Sequence, residues 1–210
     1  VNHGGNVVNV FLALGLVFAG FRSRLKSRRA LAFVLFAFGL LAGFSNRMFL
    51  LQFLLPFGLA LMLSGFGPEC RRYFSLLAAG ALLGGVLIYG LVIHQCADPS
   101  AGEASSRWIA AAAGLQMLWE TGTWLVFGVG LLGACCLLLR GNTSVEASFM
   151  AFFYVFFVLL SLVDFLLLVP DSGSVYLRYL LAPLWITPLP VALALSALVQ
   201  PGYVLIGFAL

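Results

Sequence analysis

The chain has 210 residues, 63% hydrophobic and 9% charged, with a mean hydropathy of +1.11 and a net charge of +4. Soluble domains carry roughly 25% charged residues, so this composition excludes a water-facing surface over most of the chain and makes lipid its solvent. The basic balance does not point to nucleic acid, because eight of the eleven Lys and Arg fall in loops that the span map below places on one side, the usual mark of membrane orientation.

A first apolar span runs from about Asn6 to Phe21, and Arg22-Ser23-Arg24-Leu25-Lys26-Ser27-Arg28-Arg29 follows it with five positive charges in eight residues. Short basic loops resist translocation, so residues 22–29 are read as cytoplasmic, and every later span then reverses direction. The second span is Ala30 to Phe44, and Ser45-Asn46-Arg47 forms a tight outer turn. The third, Met48 to Phe66, holds Pro56, which deprives one carbonyl of its donor and is expected to kink the helix. Gly67 to Arg72 returns the chain inside.

The fourth span, Tyr73 to about Ile93, carries Gly80 and Gly84, spaced for close helix contact, as are Ala81 and Gly85. His94 to Arg107 is a long polar outer loop. The apolar stretch from Trp108 to Leu139 is too long for one span and is interrupted by Glu120. The dozen residues before Glu120 rise only ~18 Å as a helix, short of the ~30 Å of hydrocarbon. An interfacial or re-entrant outer helix up to Glu120 is therefore expected, then a fifth span from Thr121 to Leu139. Trp108, Trp119 and Trp124 suit an interface belt.

Arg140 to Ser148 is an inner loop, and Phe149 to Val169 a sixth span with Asp164 near its outer end. Pro170 to Arg178 lies outside. The seventh span, Tyr179 to about Val199, holds Pro183, Pro188 and Pro190 and is expected to be bent or irregular at its start. Gln200-Pro201-Gly202 is inside, and an eighth span begins at Tyr203 and is cut off at Leu210. The fold expected is an all-α polytopic transmembrane bundle of seven complete spans and part of an eighth. Residues 1–210 are expected to be a single transmembrane domain and, from the start at Val1 and the cut final span, an excerpt of a longer protein. Arg22, Arg24, Lys26, Arg28, Arg29, Arg71, Arg72 and Arg140 come out inside; Arg47, Arg107 and Arg178 come out outside.

Most polar groups other than the basic anchors collect on the outer side, where any site is expected to open. Adjacent Cys135 and Cys136 read as small packing residues, and the four cysteines form no disulfide or metal framework. His3 and His94 show no ligand spacing with Asp98 or Glu103, so no metal site is expected. Nothing in the residues names a cofactor.

Two segments open spans at the outer surface. Asn46-Arg47-Met48-Phe49-Leu50-Leu51-Gln52-Phe53-Leu54-Leu55-Pro56 is one, and Tyr176-Leu177-Arg178-Tyr179-Leu180-Leu181-Ala182-Pro183 is the other. Together with His3-Gly4-Gly5 at the lip of the first span, they resemble the polytopic membrane glycosyltransferases of the GT-C class, which include protein mannosyltransferase-like and aminoarabinose transferase-like enzymes. Asn46 stands where the class's stretch has aspartate. The resemblance implies a polyprenyl-phosphate-linked sugar donor and transfer on the outer (periplasmic or lumenal) face of a bacterial inner membrane. It implies substrate contacts from Arg178, Tyr176, Asn46, Arg47, Glu120 and His3, with Arg178 on the donor phosphate, and a catalytic residue outside this chain. Two rival readings stand beside it: a lipid or amphiphile flippase using the proline-broken third and seventh spans, and a non-catalytic membrane scaffold subunit. Membrane lipid is a partner in all three.

Overall fold

The computed structural model describes residues 8–16, 28–45, 49–93, 104–140, 143–167 and 180–198. Among these residues every regular element is helical. In chain order they are α1 (8–16), α2 (Arg28–Ser45), a π-helical turn Leu50–Leu54 running into α3 (Leu55–Leu63), α4 (Pro68–Ile88) ending in a second π-helical turn Tyr89–Ile93, α5 (Ala104–Glu120), α6 (Thr123–Leu139), α7 (Val145–Leu167), α8 (Leu181–Ile186) and α9 (Pro188–Leu198).

The most extensive contact joins α2 to α4, and glycine makes it possible. Gly39 and Gly43 face Leu77 and Ala81, while Gly80 and Gly84 face Phe36 and Leu40. A methyl group at any of the four would overlap a backbone carbonyl oxygen of the opposing helix. The two backbones therefore touch directly, the usual solution where lipid removes any hydrophobic reason for helices to associate. Gly85 lies off this seam and faces the Leu50 side chain.

A second interface is aromatic. Phe49, Phe53 and Phe57 recur every four residues and form one face of the α3 segment, and Phe149, Phe153 and Phe157 do the same on α7. All six are fully buried. Rings stack along each helix (4.8 Å for Phe49–Phe53, 5.3 Å for Phe153–Phe157) and meet edge-on between helices (4.9 Å for Phe57–Phe149, 5.8 Å for Phe53–Phe153). Edge-to-face rings at these spacings are favourable beyond their buried area.

Both proline-bearing segments are irregular, as their sequence requires. In an α-helix the Pro56 ring would clash with the Gln52 carbonyl and lack the N–H to satisfy it. The helix widens there instead, with Leu55 N–H bonding Leu50 O, five residues back. Between α8 and α9 the chain turns at Thr187, whose N–H reaches the carbonyls of Pro183 (3.1 Å) and Leu184 (3.3 Å). Pro188 and Pro190 offer no N–H to the carbonyls of Leu184 and Ile186.

Residue pairing gives the helix directions. On α2 and α4 the contacts advance together (Gly39 with Leu77, Gly43 with Ala81), so these helices are parallel. Phe57 meets Phe149 and Phe53 meets Phe153, so α3 and α7 are antiparallel. Gly58 meets Phe74 and Gly85 meets Leu50, so α3 and α4 are antiparallel. Gly130 meets Tyr154, while Leu137 and Arg140 share a cleft with Ala147 and Thr143, so α6 runs against α7. Gly133 meets Pro190 and Leu137 shares that cleft with Leu193, so α6 and α9 are parallel. Thus α2, α4 and α7 point one way and α3, α6 and α9 the other. Because α4 and α6 are opposed, α5 between them does not cross the bundle.

One end of the bundle consequently collects the starts of α2, α4 and α7 with Arg71, Arg72 and Arg140, and the opposite end carries Ser45, Glu120 and Thr123. By length and apolarity, Pro68–Leu91 (24 residues) and Val145–Val163 (19 residues) are able to cross a membrane, and Ala112–Glu120 with Thr123–Leu139 is a further candidate, bent by 80°. Ala30–Phe44, Leu50–Leu63 and Ala182–Leu198 are apolar but shorter. Length and composition thus give two or three of the seven spans expected. Phe33, Met62, Val86, Leu132 and Leu139 are each at least two-thirds exposed, a side-chain surface suited to lipid rather than water. The cysteine expectation is corrected: Cys135 and Cys136 are both exposed, and their neighbours Ala134 and Leu137 do the packing.

Candidate functional site

Glu120 is the expected site residue that falls within the described structure. It ends α5 where the chain turns through Thr121 and Gly122, and Gly122 takes a left-handed φ of +68° that favours glycine. Thr121 completes the stop, its N–H and hydroxyl both bonding the Met117 carbonyl (3.0 and 2.8 Å). The Thr121 and Thr123 hydroxyls are 2.8 Å apart. The sequence expectation of two elements divided at Glu120 corresponds to this elbow.

Three faces of α5 differ in character. Gly114 and Leu118 are buried against the bundle, Leu115 and Trp119 form an exposed apolar strip, and Gln116 and Glu120 form an exposed polar one. Within the polar strip Gln116 Nε2 donates to Glu120 Oε1 at 2.7 Å. Across the elbow the indoles of Trp119 and Trp124 stack at 4.9 Å and 8°. A carboxylate, an amide and two flat apolar rings therefore stand side by side at the end of the bundle opposite the arginines.

Asn46, Arg47, His3, Tyr176 and Arg178 lie outside the described residues, as do His94, Cys96 and residues 22–27. The described helix ends that lead to four of them share the Glu120 end. Asn46 and Arg47 follow Ser45 at the end of α2, and Tyr176 and Arg178 fall between the end of α7 and Leu180. Asp164 lies on α7, its side chain outside the described part. Among the described residues no group of three or more His, Cys, Asp or Glu is placed to hold a metal ion.

Two polar features had no signal in the sequence. Tyr154, fully buried on α7, lies 2.7 Å from Thr187 Oγ1 at the α8–α9 break. Thr187 gives its hydroxyl proton to the Pro183 carbonyl at 3.0 Å, so Tyr154 is the donor in the pair. At the arginine end, Leu137, Arg140, Thr143, Ser144, Ala147, Leu193, Ser196 and Ala197 line a cleft of about 280 Å³ between α6, α7 and α9. No protein-family model, characterised protein or solved structure matches the chain.

Proposed function

We propose that the chain is the membrane portion of a glycosyltransferase that takes its sugar from a polyprenyl-phosphate donor at the Glu120 end of the bundle. The observation that carries this reading is the elbow itself. A sugar ring presents C–H faces that pack on flat aromatic rings and hydroxyls that donate to carboxylates and amides, and Trp119, Trp124, Glu120 and Gln116 supply both kinds of group side by side. The segments with Asn46, Arg47, Tyr176 and Arg178 leave and re-enter the described bundle at this same end. Arg178 then meets the donor phosphate, to which a guanidinium fork is better matched than a point charge. In this reading the shorter apolar helices also cross, giving seven spans and part of an eighth, and α5 lies in the interface. The arginine end faces the cytoplasm of a bacterial cell.

A second reading, a flippase for a lipid or amphiphile, draws on the two broken helices, at Pro56 and at Thr187–Pro188, since discontinuous helices frame many transporter sites.

Sugar transfer from a polyprenyl-phosphate donor by the full-length protein tests the first reading. Arg178→Lys at matched membrane expression should lower transfer roughly tenfold or more, because a lysine keeps charge but loses the paired hydrogen bonds. Equal rates remove Arg178 from the donor site, and an absence of transfer by wild type favours the flippase.

Topology is checked separately in a cysteine-free background. Cysteines introduced at Ser27, Ser75 and Thr143 should resist an impermeant thiol reagent added outside intact cells, while those at Ser45, Ser105 and Ser172 should label. Labelling at Ser27 inverts the map.

A further inference from the structure

The cleft at the arginine end plays no part in sugar transfer at the other end, and its chemistry is specific. It is walled by the last turn of α6, the first turn of α7 and the last turns of α9. Arg140 is its charged lining residue; Glu146, in the first turn of α7, is exposed and does not line it. Of its hydroxyls, Ser196 donates to the Leu193 carbonyl at 2.8 Å, which leaves Ser144 and Thr143. Ser144 Oγ accepts the Ala147 N–H (3.2 Å), which leaves its own proton unused by that bond. Thr143 and Ser148 share one hydroxyl proton across 2.9 Å, so one of the two retains a proton. One guanidinium and the Ser144 hydroxyl therefore converge, with the shared Thr143 hydroxyl beside them, at the start of a 23-residue helix whose dipole adds partial positive charge there. That is the donor set of a phosphate site.

We infer that this cleft holds the phosphodiester headgroup of an anionic phospholipid. Size limits the occupant: about 280 Å³ corresponds to roughly nine waters at ~30 Å³ each, enough for a phosphate and part of its glycerol. The surroundings select a lipid over a free anion. Leu137 and Leu193 add apolar wall to the polar rim, and Leu139 and Leu198, next in sequence to the lining residues Arg140 and Ala197, have 86% and 66% of their surface exposed. A headgroup seated on Arg140 leaves its acyl chains against leucine, whereas a soluble phosphate makes no use of that surface. Clefts with basic residues between membrane helices are suited to anionic headgroups. The inference rests on the membrane-spanning reading and is independent of the sugar-transfer reading.

The test uses the full chain purified in detergent and titrated with phosphatidylglycerol or phosphatidylcholine, with retained lipid read by native mass spectrometry. Wild type should retain phosphatidylglycerol preferentially. Arg140→Gln should weaken that binding roughly tenfold or more, the loss expected for a charged hydrogen-bond partner, and leave phosphatidylcholine unchanged. Ser196→Phe, at an exposed position, should weaken it by filling the cleft. Arg72→Gln, which removes an equal charge at the same end, should leave it as in wild type. Equal retention of the two lipids by wild type, unchanged phosphatidylglycerol binding in both cleft variants, or an equal loss in Arg72→Gln overturns the assignment. Inorganic phosphate that displaces phosphatidylglycerol at matched concentration shows a soluble-anion site and overturns the lipid. Release of the protein from membranes by alkaline carbonate defeats the membrane reading itself, and is seen before any lipid is added.

Discussion

Gly84→Ala is expected to destabilise the protein by about 2–3 kcal/mol, at the upper end of the range for overpacked sites. The reason is the neighbour. A methyl at residue 84 overlaps the Leu40 carbonyl oxygen on α2 and lies 2.8 Å from the Phe44 amide nitrogen. These are backbone atoms within a helix, so no rotamer change relieves the overlap, and α2 and α4 must move apart. Separation then weakens contacts along the whole seam, including those at Gly39, Gly43 and Gly80. Gly128→Ala is the matched control: nothing lies within 4 Å of a methyl there, and alanine is up to about 1 kcal/mol better than glycine inside a helix. Unfolding in mixed detergent–SDS micelles, followed by circular dichroism, gives both values. If Gly84→Ala is as stable as Gly128→Ala, the backbone contact between α2 and α4 does not hold the pair together.

The seam shows how far the sequence could be read. Gly80 and Gly84 signal close packing by spacing alone, and Gly39 and Gly43 have the same spacing, but spacing does not say which helix is the partner. Breaks were legible wherever a residue forbids regular helix: Pro56, Glu120 with Gly122, and the prolines around Thr187 each act locally. Arg71, Arg72 and Arg140, grouped by the span map, do share one end of the bundle, and the opposed courses of α4 and α6 agree with a chain that turns back after α5. Helix lengths were less legible, since an apolar run does not record where hydrogen bonding stops. The exposure of Cys135 and Cys136 was missed because an apolar helix without amphipathic pattern gives no sign of which face meets lipid. The cleft was missed as well. Leu137, Arg140 and Ser144 are near neighbours in sequence, but Ser196 and Ala197 arrive from a helix some fifty residues later. Of the site residues expected, Glu120 is placed and its surroundings are polar on one side and aromatic on the other.

The contact among Tyr154, Gly130 and Thr187 was hidden for the same reason, and it carries the second large effect. Gly130→Ala should cost about 2–4 kcal/mol, combining overpacking with the loss of a buried hydrogen bond. The added methyl would overlap the Tyr154 hydroxyl and lie 2.7 Å from its Cε1. Tyr154 is fully buried and its hydroxyl is fixed on Thr187, so the ring must turn away and release the bond. Tyr154→Phe alone should cost only about 1 kcal/mol, because Thr187 still donates to the Pro183 carbonyl and no buried donor is stranded. The distinguishing measurement is a double-mutant cycle. Tyr154→Leu removes the ring, and in that background Gly130→Ala meets no hydroxyl or ring edge, so its cost should fall by at least 1 kcal/mol. Additive costs would mean that the methyl acts through some other neighbour. The contact bears on function through its position. Thr187 lies at the break between α8 and α9, and Tyr154 ties that break to α7 where α6 leaves room for it. The segment bearing Tyr176 and Arg178 re-enters the described bundle at Leu180, seven residues before Thr187. If the chain transfers sugar as proposed, loosening the tie in Gly130→Ala should therefore lower that transfer even though neither residue reaches the Glu120 end, whereas Gly128→Ala on the same helix should leave it unchanged.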